Sequence, residues 1–163
     1  MKKYSAPWSA SLWATTTFAV IIALGAFAVP SLVERPIRVG DFLWLRLLPI
    51  ALVPILASFA IRGYTIAPDS VLVHRLFWST VLPRAGLQSA RFEPNAMARS
   101  IRTFGNGGFF SFTGYYTNKT LGSYRAFVTD PARTVVLRYA GETIVVSPGE
   151  PEDFASSLTA QIQ

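Results

Sequence analysis

The chain has 163 residues, 51% of them hydrophobic, with a formal net charge of +6, one histidine and no cysteine. This composition excludes disulfide bonds, thiol catalysis and any metal site built from cysteines or from several histidines of one chain. Residues 1–61 carry five Lys/Arg against two acids, and the remainder carries ten against seven. So mild a balance is not typical of a nucleic-acid-binding domain and favours attraction to an anionic membrane surface.

A long apolar segment follows the two lysines near the amino terminus. No charged residue occurs over residues 4–33, and the densest part, Leu12 to Val29, is long enough to cross most of a hydrocarbon core as a helix. Pro30 marks a natural end for that helix. The sequence therefore predicts a first membrane span at residues 12–30.

A second apolar segment covers residues 42–61 and contains one charge, Arg46, near its beginning. An arginine near the end of a span can reach the interface with its long side chain. Pro49 and Pro54 should bend the helix, which membrane spans tolerate better than soluble helices do. With the short polar connection at residues 34–41, the two spans predict a transmembrane hairpin.

Other interpretations of these segments remain open. Two buried helices of a soluble protein would normally show a polar face, which both segments lack. Lys2 and Lys3, the apolar run and Ala26-Phe27-Ala28 also resemble a cleavable signal peptide. Positive residues outside the spans favour both termini in the cytoplasm by a small margin. We expect an anchor at residues 1–62 and a separate domain at residues 63–163.

Alternating hydrophobicity replaces helical periodicity beyond the second span. Short runs of this kind, separated by turn residues such as Asn118-Lys119 and Asp130-Pro131, predict about seven antiparallel strands in a bent sandwich or barrel. The predicted strands are 64–66, 71–77, 86–92, 109–117, 121–129, 134–139 and 143–147.

The end of the chain has a different pattern. Pro151 suits the first position of a helix, and two acids follow it where the helix dipole is positive. Phe154, Leu158 and Ile162 then recur every four residues and form one apolar stripe. We predict a single amphipathic helix that packs on the strands.

Several local stretches of the domain resemble a known family. They are Arg102 with Gly105-Asn-Gly-Gly-Phe-Phe-Ser111 and Gly114, Leu121-Gly-Ser-Tyr124, Val128-Thr-Asp130, and Val146-Ser-Pro148 with Pro151 and Phe154. From Tyr64 to about Ile162, the chain resembles the bacterial pleckstrin-homology-like (PH-like) domain family and its membrane-anchored members. The resemblance implies a PH-like fold behind membrane helices and carries over no catalytic residues, since fold alone does not assign function.

One segment is a candidate for ligand or partner binding. Residues 93–108 form the longest predicted connection, and long connections are often functional. Its candidate residues are Arg99, Arg102, Gly105, Asn106, Gly107 and Gly108. The glycines also have a conformational interpretation, because they permit a bulge or a sharp entry into the next strand. No strand–glycine–helix order supports a nucleotide-binding loop.

His74 and Arg75 offer little for catalysis or for inositol-phosphate binding. His74 has no partner acid or serine at a recognisable spacing, so we expect it to be structural. Arg75 is expected to point outward from its strand. No nucleophile–base pair, paired carboxylates, metal site or cofactor motif is found, and we expect no enzyme.

The sequence therefore predicts a non-enzymatic interaction or scaffold module anchored in the bacterial cytoplasmic membrane, with its domain in the cytoplasm. Its expected partners are the bilayer and a protein or a second copy of the chain, and not nucleic acid. The alternative is a lipid or small-ligand sensor at the bilayer surface.

Overall fold

A computed structural model of the chain describes residues 1–32 and 43–160. Helix α1 covers Ala10–Leu32, and helix α2 covers Leu43–Ser58 with Pro49 and Pro54 inside it. The two helices lie against one another, and most of the large apolar side chains along α1 are exposed. The predicted connection at residues 34–41 lies outside the described residues.

Ten strands in the described residues form two sheets. The bounds are β1 Lys2–Ser5, β2 Gly63–Ile66, β3 Ser70–His74, β4 Ser79–Pro83, β5 Leu87–Phe92, β6 Ile101–Gly107, β7 Phe112–Asn118, β8 Gly122–Val128, β9 Val135–Tyr139 and β10 Thr143–Val146. The first sheet has the order β1-β2-β3-β4, and the second has the order β5-β9-β10-β8-β7-β6. All neighbours are antiparallel except β10 and β8.

Two hydrophobic cores follow from this arrangement. The larger lies between the two sheets and the carboxyl-terminal helix, and Tyr64 crosses it to donate a 2.7 Å hydrogen bond to the carbonyl oxygen of Phe127. The smaller core covers the other face of the six-stranded sheet with Tyr124 and Val136, beneath the connection that carries Ala96. Because side chains alternate along a strand, β8 contributes to both cores.

The first residues of the chain belong to the first sheet. Strand β1 pairs with β2 in the register Tyr4 opposite Tyr64. The buried Tyr4 ring meets Phe154 edge-on at 5.0 Å, and its hydroxyl donates a 2.8 Å hydrogen bond to Asp153. Lys2 also donates to Asp153 at 2.6 Å. Thus a strand that precedes α1 pairs with a strand that follows α2.

The sequence predicted seven strands, and β1, β4 and β6 were missed. The predicted strand at 71–77 is in fact β3 followed by a tight reversal, in which Arg75 N donates to the carbonyl oxygen of Trp78 at 2.8 Å. That reversal consists of large side chains and lacks the glycine, proline or asparagine that usually signals a turn. Pro83 ends β4, which is an edge strand and therefore tolerates proline.

The carboxyl-terminal helix α3 covers Pro151–Thr159. Pro151 lies in its first turn with Glu152 and Asp153, and Phe154 and Leu158 are fully buried. The predicted third member of the apolar stripe, Ile162, lies outside the described residues. The helix packs on β5, so the predicted packing of an amphipathic helix on the strands is confirmed.

Candidate functional site

The start of α1 and the end of α2 are both hydrogen-bonded to one region of the domain. At the start of α1, Ser9 N donates to the carbonyl oxygen of Thr129 at 3.1 Å, and Thr15 Oγ1 donates to that of Gly108 at 2.7 Å. Phe110 N in turn donates to Thr16 Oγ1 at 3.0 Å. The hairpin between β6 and β7 is therefore held against the first turns of α1.

The end of α2 is held by a buried arginine. Arg75 Nη1 donates a 2.8 Å hydrogen bond to the carbonyl oxygen of Phe59, and Arg75 Nε donates to Thr80 Oγ1 at 3.2 Å. Ser111 Oγ donates to the same Phe59 oxygen at 3.2 Å. A cation at a helix carboxyl end stabilises carbonyl groups that lack partners inside the helix. The prediction that Arg75 points outward was wrong, because its side chain is 7% exposed.

A groove of about 590 Å³ opens beside the end of α2. Its walls are mainly apolar and aromatic, and three arginines reach into it. The lining residues used below are Phe59, Arg75, Arg102, Phe104, Arg125 and Phe127. Its volume lies within the range of about 300–1,000 Å³ that small-molecule sites occupy.

Three arginines give the groove a positive charge. Within residues 1–28 and 47–160, the ion pairs are Lys2 with Asp153 and Arg133 with Asp130, and neither involves a groove arginine. Burial lowers the pKa of Arg75, and the charge of Arg125 acts in the same direction. The guanidinium of Arg125 lies 4.8 Å from the ring centre of Phe127. The groove therefore joins apolar walls to cations that have no carboxylate partner among residues 1–28 and 47–160.

Close backbone contact shapes the β6–β7 wall of the groove. Gly105 faces Gly114 across the pair, and both have a positive φ, of 110° and 136°. A Cβ on Gly105 would lie 2.4 Å from the carbonyl oxygen of Thr113, and one on Gly114 would lie 2.2 Å from that of Phe104. Only glycine fits at either position. This supports the conformational interpretation for Gly105.

The predicted site residues fall in different places. Arg102, Gly105 and Asn106 line the groove, while Gly107 lines a neighbouring hollow that Arg102 also borders. Arg99 is exposed on the connection before β6 and lines neither, and Gly108 instead accepts the bond from Thr15.

The long connection predicted at residues 93–108 is shorter in the structure. Its second half is strand β6, whose polar, glycine-rich sequence lacks the alternation of a buried strand.

Sequence reasoning missed Arg75, Arg125 and Phe59, the residue that follows α2, as parts of the site. Arg125 gives no local signal, since it becomes adjacent to Arg75 only when β8 packs opposite β3. Arg75 directly precedes Leu76, Phe77 and Trp78. An arginine beside three large apolar residues could have indicated a turn that contacts another apolar element.

That turn is an exposed apolar tip. Phe77 is 76% exposed, and the Trp78 ring meets Phe59 edge-on at 5.2 Å. On the β6–β7 hairpin, Phe109 is also exposed, and Phe110 packs edge-on to Trp8 at 6.1 Å. Two hairpins with aromatic tips therefore lie beside the ends of the helices.

His74 is held by two hydroxyl groups. Thr65 Oγ1 lies 2.7 Å from its Nε2, and Ser79 Oγ lies 2.8 Å from its Nδ1.

Within the described part of the chain, no cluster of three or more His, Asp or Glu side chains could hold a metal ion.

Comparison with known proteins identifies the domain. Residues 62–162 match the family described as Bacterial PH domain, a match that covers more than half of the chain. The chain belongs to the bacterial PH domain family. PH domains are generally non-catalytic binding modules, and the family indicates an interaction or scaffold role. No curated protein and no solved structure matches the chain.

One helix of the described residues is long and apolar enough to cross a membrane. It is the part of α1 at Ala10–Ala28, which is only 17% buried. The apolar stretch of α2 at Leu47–Ser58 is shorter. A membrane span and a signal sequence both fit α1 by length and composition.

Proposed function

We propose that the chain is a membrane-anchored, non-enzymatic binding module that presents its PH domain at the surface of the bacterial cytoplasmic membrane. Residues 1–62 supply the anchor, apart from β1, and residues 63–163 supply the domain. The observation that carries this proposal is the bonding of both helix ends to one region of the domain. With the exposed apolar length of α1 in a bilayer, the domain would rest directly on the membrane surface.

The position of β1 argues against a cleaved signal peptide. Cleavage after Ala28 would also remove Lys2–Ser5, which pairs with β2 and contains the buried Tyr4. Loss of that strand would expose the edge of β2 and the ring of Phe154. A membrane span leaves the strand in place.

Strand β6 is the surface we propose for a protein partner or for a second copy of the chain. It is an edge of the six-stranded sheet, so one side of its backbone can accept another strand. Ile101 is 70% exposed and Phe104 is 76% exposed on this strand. Apolar side chains on an open edge favour strand addition.

A second candidate function is a lipid or small-ligand sensor. The groove beside α2 favours it, because apolar walls and three arginines converge where the bilayer surface would lie. Of the six residues predicted for such a site, Arg102, Gly105 and Asn106 line this groove. Both candidate functions require the domain to lie at the membrane.

Topology labelling tests the proposal. The chain has no native cysteine, so Val39→Cys and Ala132→Cys can each be labelled in intact cells without background. A cytoplasmic domain predicts that an impermeant maleimide labels position 39 and leaves position 132 unlabelled until the cells are opened. Labelling of position 132 in intact cells would contradict the orientation, and recovery of the chain in the soluble fraction would contradict the anchor.

A crosslinking experiment separates the partner classes. Ile101→Cys with a thiol-specific bifunctional reagent, applied to membranes, should give a dimer of this chain or a product with another protein. Arg91→Cys, on the opposite edge strand β5, is the matched control. Equal products from both positions would contradict a partner surface at β6.

A further inference from the structure

We infer that the groove beside α2 binds the headgroup and the first part of the hydrocarbon chain of an anionic bilayer lipid, with Arg75 and Arg125 facing the anion. This inference rests on the proposed membrane location of the domain. The groove is built from β6, β7, β8 and the end of α2.

The positive charge of the groove favours an anionic ligand. Arg75 is buried and donates to a carbonyl oxygen and a hydroxyl group, both of which are neutral. Arg75 and Arg125 both approach the Phe127 ring, at 5.5 and 4.8 Å from its centre, and Arg102 lines the same groove. Cations that share a poorly solvated site repel one another and are stabilised by a bound anion. Arginine binds phosphate groups well, because its planar guanidinium can donate two parallel hydrogen bonds.

The walls of the groove select an amphiphile over a free ion. Leu56, Phe59, Phe104 and Phe127 line it, so most of the surface that an occupant touches is apolar. A volume of about 590 Å³ is much larger than a phosphate ion needs. Covering such walls is favourable when hydrocarbon replaces the water against them, which a free phosphate ion cannot do.

The position of the groove favours a ligand that comes from the bilayer. Leu56 belongs to the last turn of α2, and Phe59 follows that helix directly. The exposed tip at Phe77 and Trp78 adjoins Phe59. Aromatic rings favour the headgroup layer of a bilayer. A lipid could therefore enter from the side, without leaving the membrane.

The experiment uses the full chain in dodecyl maltoside micelles and counts bound molecules by native mass spectrometry. Dodecyl phosphate is the probe, and dodecylphosphocholine and inorganic phosphate are the comparison ligands. We expect one dodecyl phosphate to bind in preference to both. Arg125→Gln should weaken that binding by about tenfold or more, since a charge-assisted hydrogen bond is lost.

The control variants keep the result interpretable. Arg91→Gln changes an exposed arginine of the same sheet outside the groove and should bind as the wild type does. Phe104→Glu places a negative charge at an exposed groove position, where folding should be unaffected, and should weaken binding as well. Equal loss in the Arg91 variant would indicate general surface attraction and overturn the inference.

The comparison ligands distinguish a bilayer lipid from a free anion as the occupant of the groove. Equal binding of inorganic phosphate would indicate a free-anion site, and equal binding of dodecylphosphocholine would show that net charge is not recognised; either result overturns the inference. From nanodiscs that contain phosphatidylglycerol and phosphatidylcholine, the wild type should retain phosphatidylglycerol and the Arg125 variant should not. If no amphiphile binds while the chain stays in the membrane fraction, the inference alone fails. Recovery of the chain in the soluble fraction would contradict the proposed function itself.

Discussion

Arg75 on the reversal after β3 donates a 2.8 Å hydrogen bond to the carbonyl oxygen of Phe59, the residue that follows helix α2. This bond joins helix α2 to the domain through a buried cation at the end where the helix dipole is negative. The same guanidinium lies 5.8 Å from the ring centre of Trp78 and 5.5 Å from that of Phe127. One side chain thus connects a helix end, an exposed hairpin tip and the sheet that forms the groove.

Replacing this arginine should destabilise the domain. Arg75→Ala removes two hydrogen bonds and the packing of the side-chain stem, so we expect a loss of about 2–4 kcal/mol in the free energy of unfolding. Urea unfolding in detergent micelles, followed by near-ultraviolet circular dichroism, measures the change. Arg91→Ala is the matched control at an exposed position and should change stability by less than about 0.5 kcal/mol. Equal stability of the two variants would contradict the role of Arg75.

Tyr64 predicts how stability depends on alkaline pH. Burial raises the pKa of Tyr64 to about 12, from an ordinary value of 10.0. The unfolded chain therefore ionises first, and the stabilisation present below pH 10 is lost as the pH rises to about 12, with a total of roughly 3 kcal/mol.

Tyr64→Phe should show a shallower decline over that interval. It should also lose about 1–2 kcal/mol at neutral pH, because the hydrogen bond to Phe127 is missing. Unfolding measured at pH 8, 10 and 11.5 on both proteins checks this. A decline identical to that of the wild type would mean that other groups cause it.

The facing glycines of the β6–β7 hairpin should not tolerate a side chain. Gly114→Ala places a Cβ against the carbonyl oxygen of Phe104 in a backbone conformation that L residues rarely adopt. We expect a loss of about 3 kcal/mol or more. Gly141→Ala is the control, because open space surrounds that glycine. Hydrogen exchange should show faster exchange in β6 and β7 of the first variant alone.

The exposed tip of the β3–β4 hairpin should lie in the headgroup layer. A spin label on Phe77→Cys should then be accessible to oxygen and partly protected from a water-soluble nickel complex. Lys119→Cys, on the β7–β8 turn at the other end of β7, should be fully accessible to the nickel complex. Electron paramagnetic resonance in vesicles measures both accessibilities. Equal accessibility at the two positions would contradict a membrane-facing tip.

Strand β1 should contribute to the stability of the domain. Tyr4→Ala removes a buried ring that packs on Phe154, so we expect a loss of about 3–5 kcal/mol in the free energy of unfolding. Lys3→Ala, at an exposed neighbour in the same strand, should change it by less than about 0.5 kcal/mol. Chemical unfolding in detergent compares the two. A small effect of Tyr4→Ala would indicate that β1 pairing is dispensable.

Periodicity and turn chemistry predicted the parts of the fold that local sequence determines. The carboxyl-terminal helix was predicted because Pro151 and its acidic first turn suit a helix start and its apolar residues recur every four positions. Strands such as β8 and β9 alternate or are continuously apolar, and they were found near their observed bounds. Strands β1, β4 and β6 lie at open edges of the sheets. They were missed, because a strand at an open edge does not need buried side chains on both of its faces.

The candidate site was predicted only in part. Arg102, Gly105 and Asn106, which line the groove, were predicted because the sequence shows a glycine-rich segment beside charged residues. Arg75 and Arg125 are 50 positions apart, and their proximity depends on how the two sheets pack. No local pattern carries that information. The register of β1 with β2 likewise depends on residues separated by two helices.

The pairing of β1 with β2 also restricts how many times the chain between them can cross a bilayer. Residues 2–5 and 63–66 lie side by side in one sheet, so the chain between them must begin and finish in the same aqueous compartment. Any crossing of a bilayer by α1 must therefore be matched by a return before Gly63, and an odd number of crossings is incompatible with the sheet. Folding of that sheet must also wait until both helices have been made, because β2 is synthesised after them.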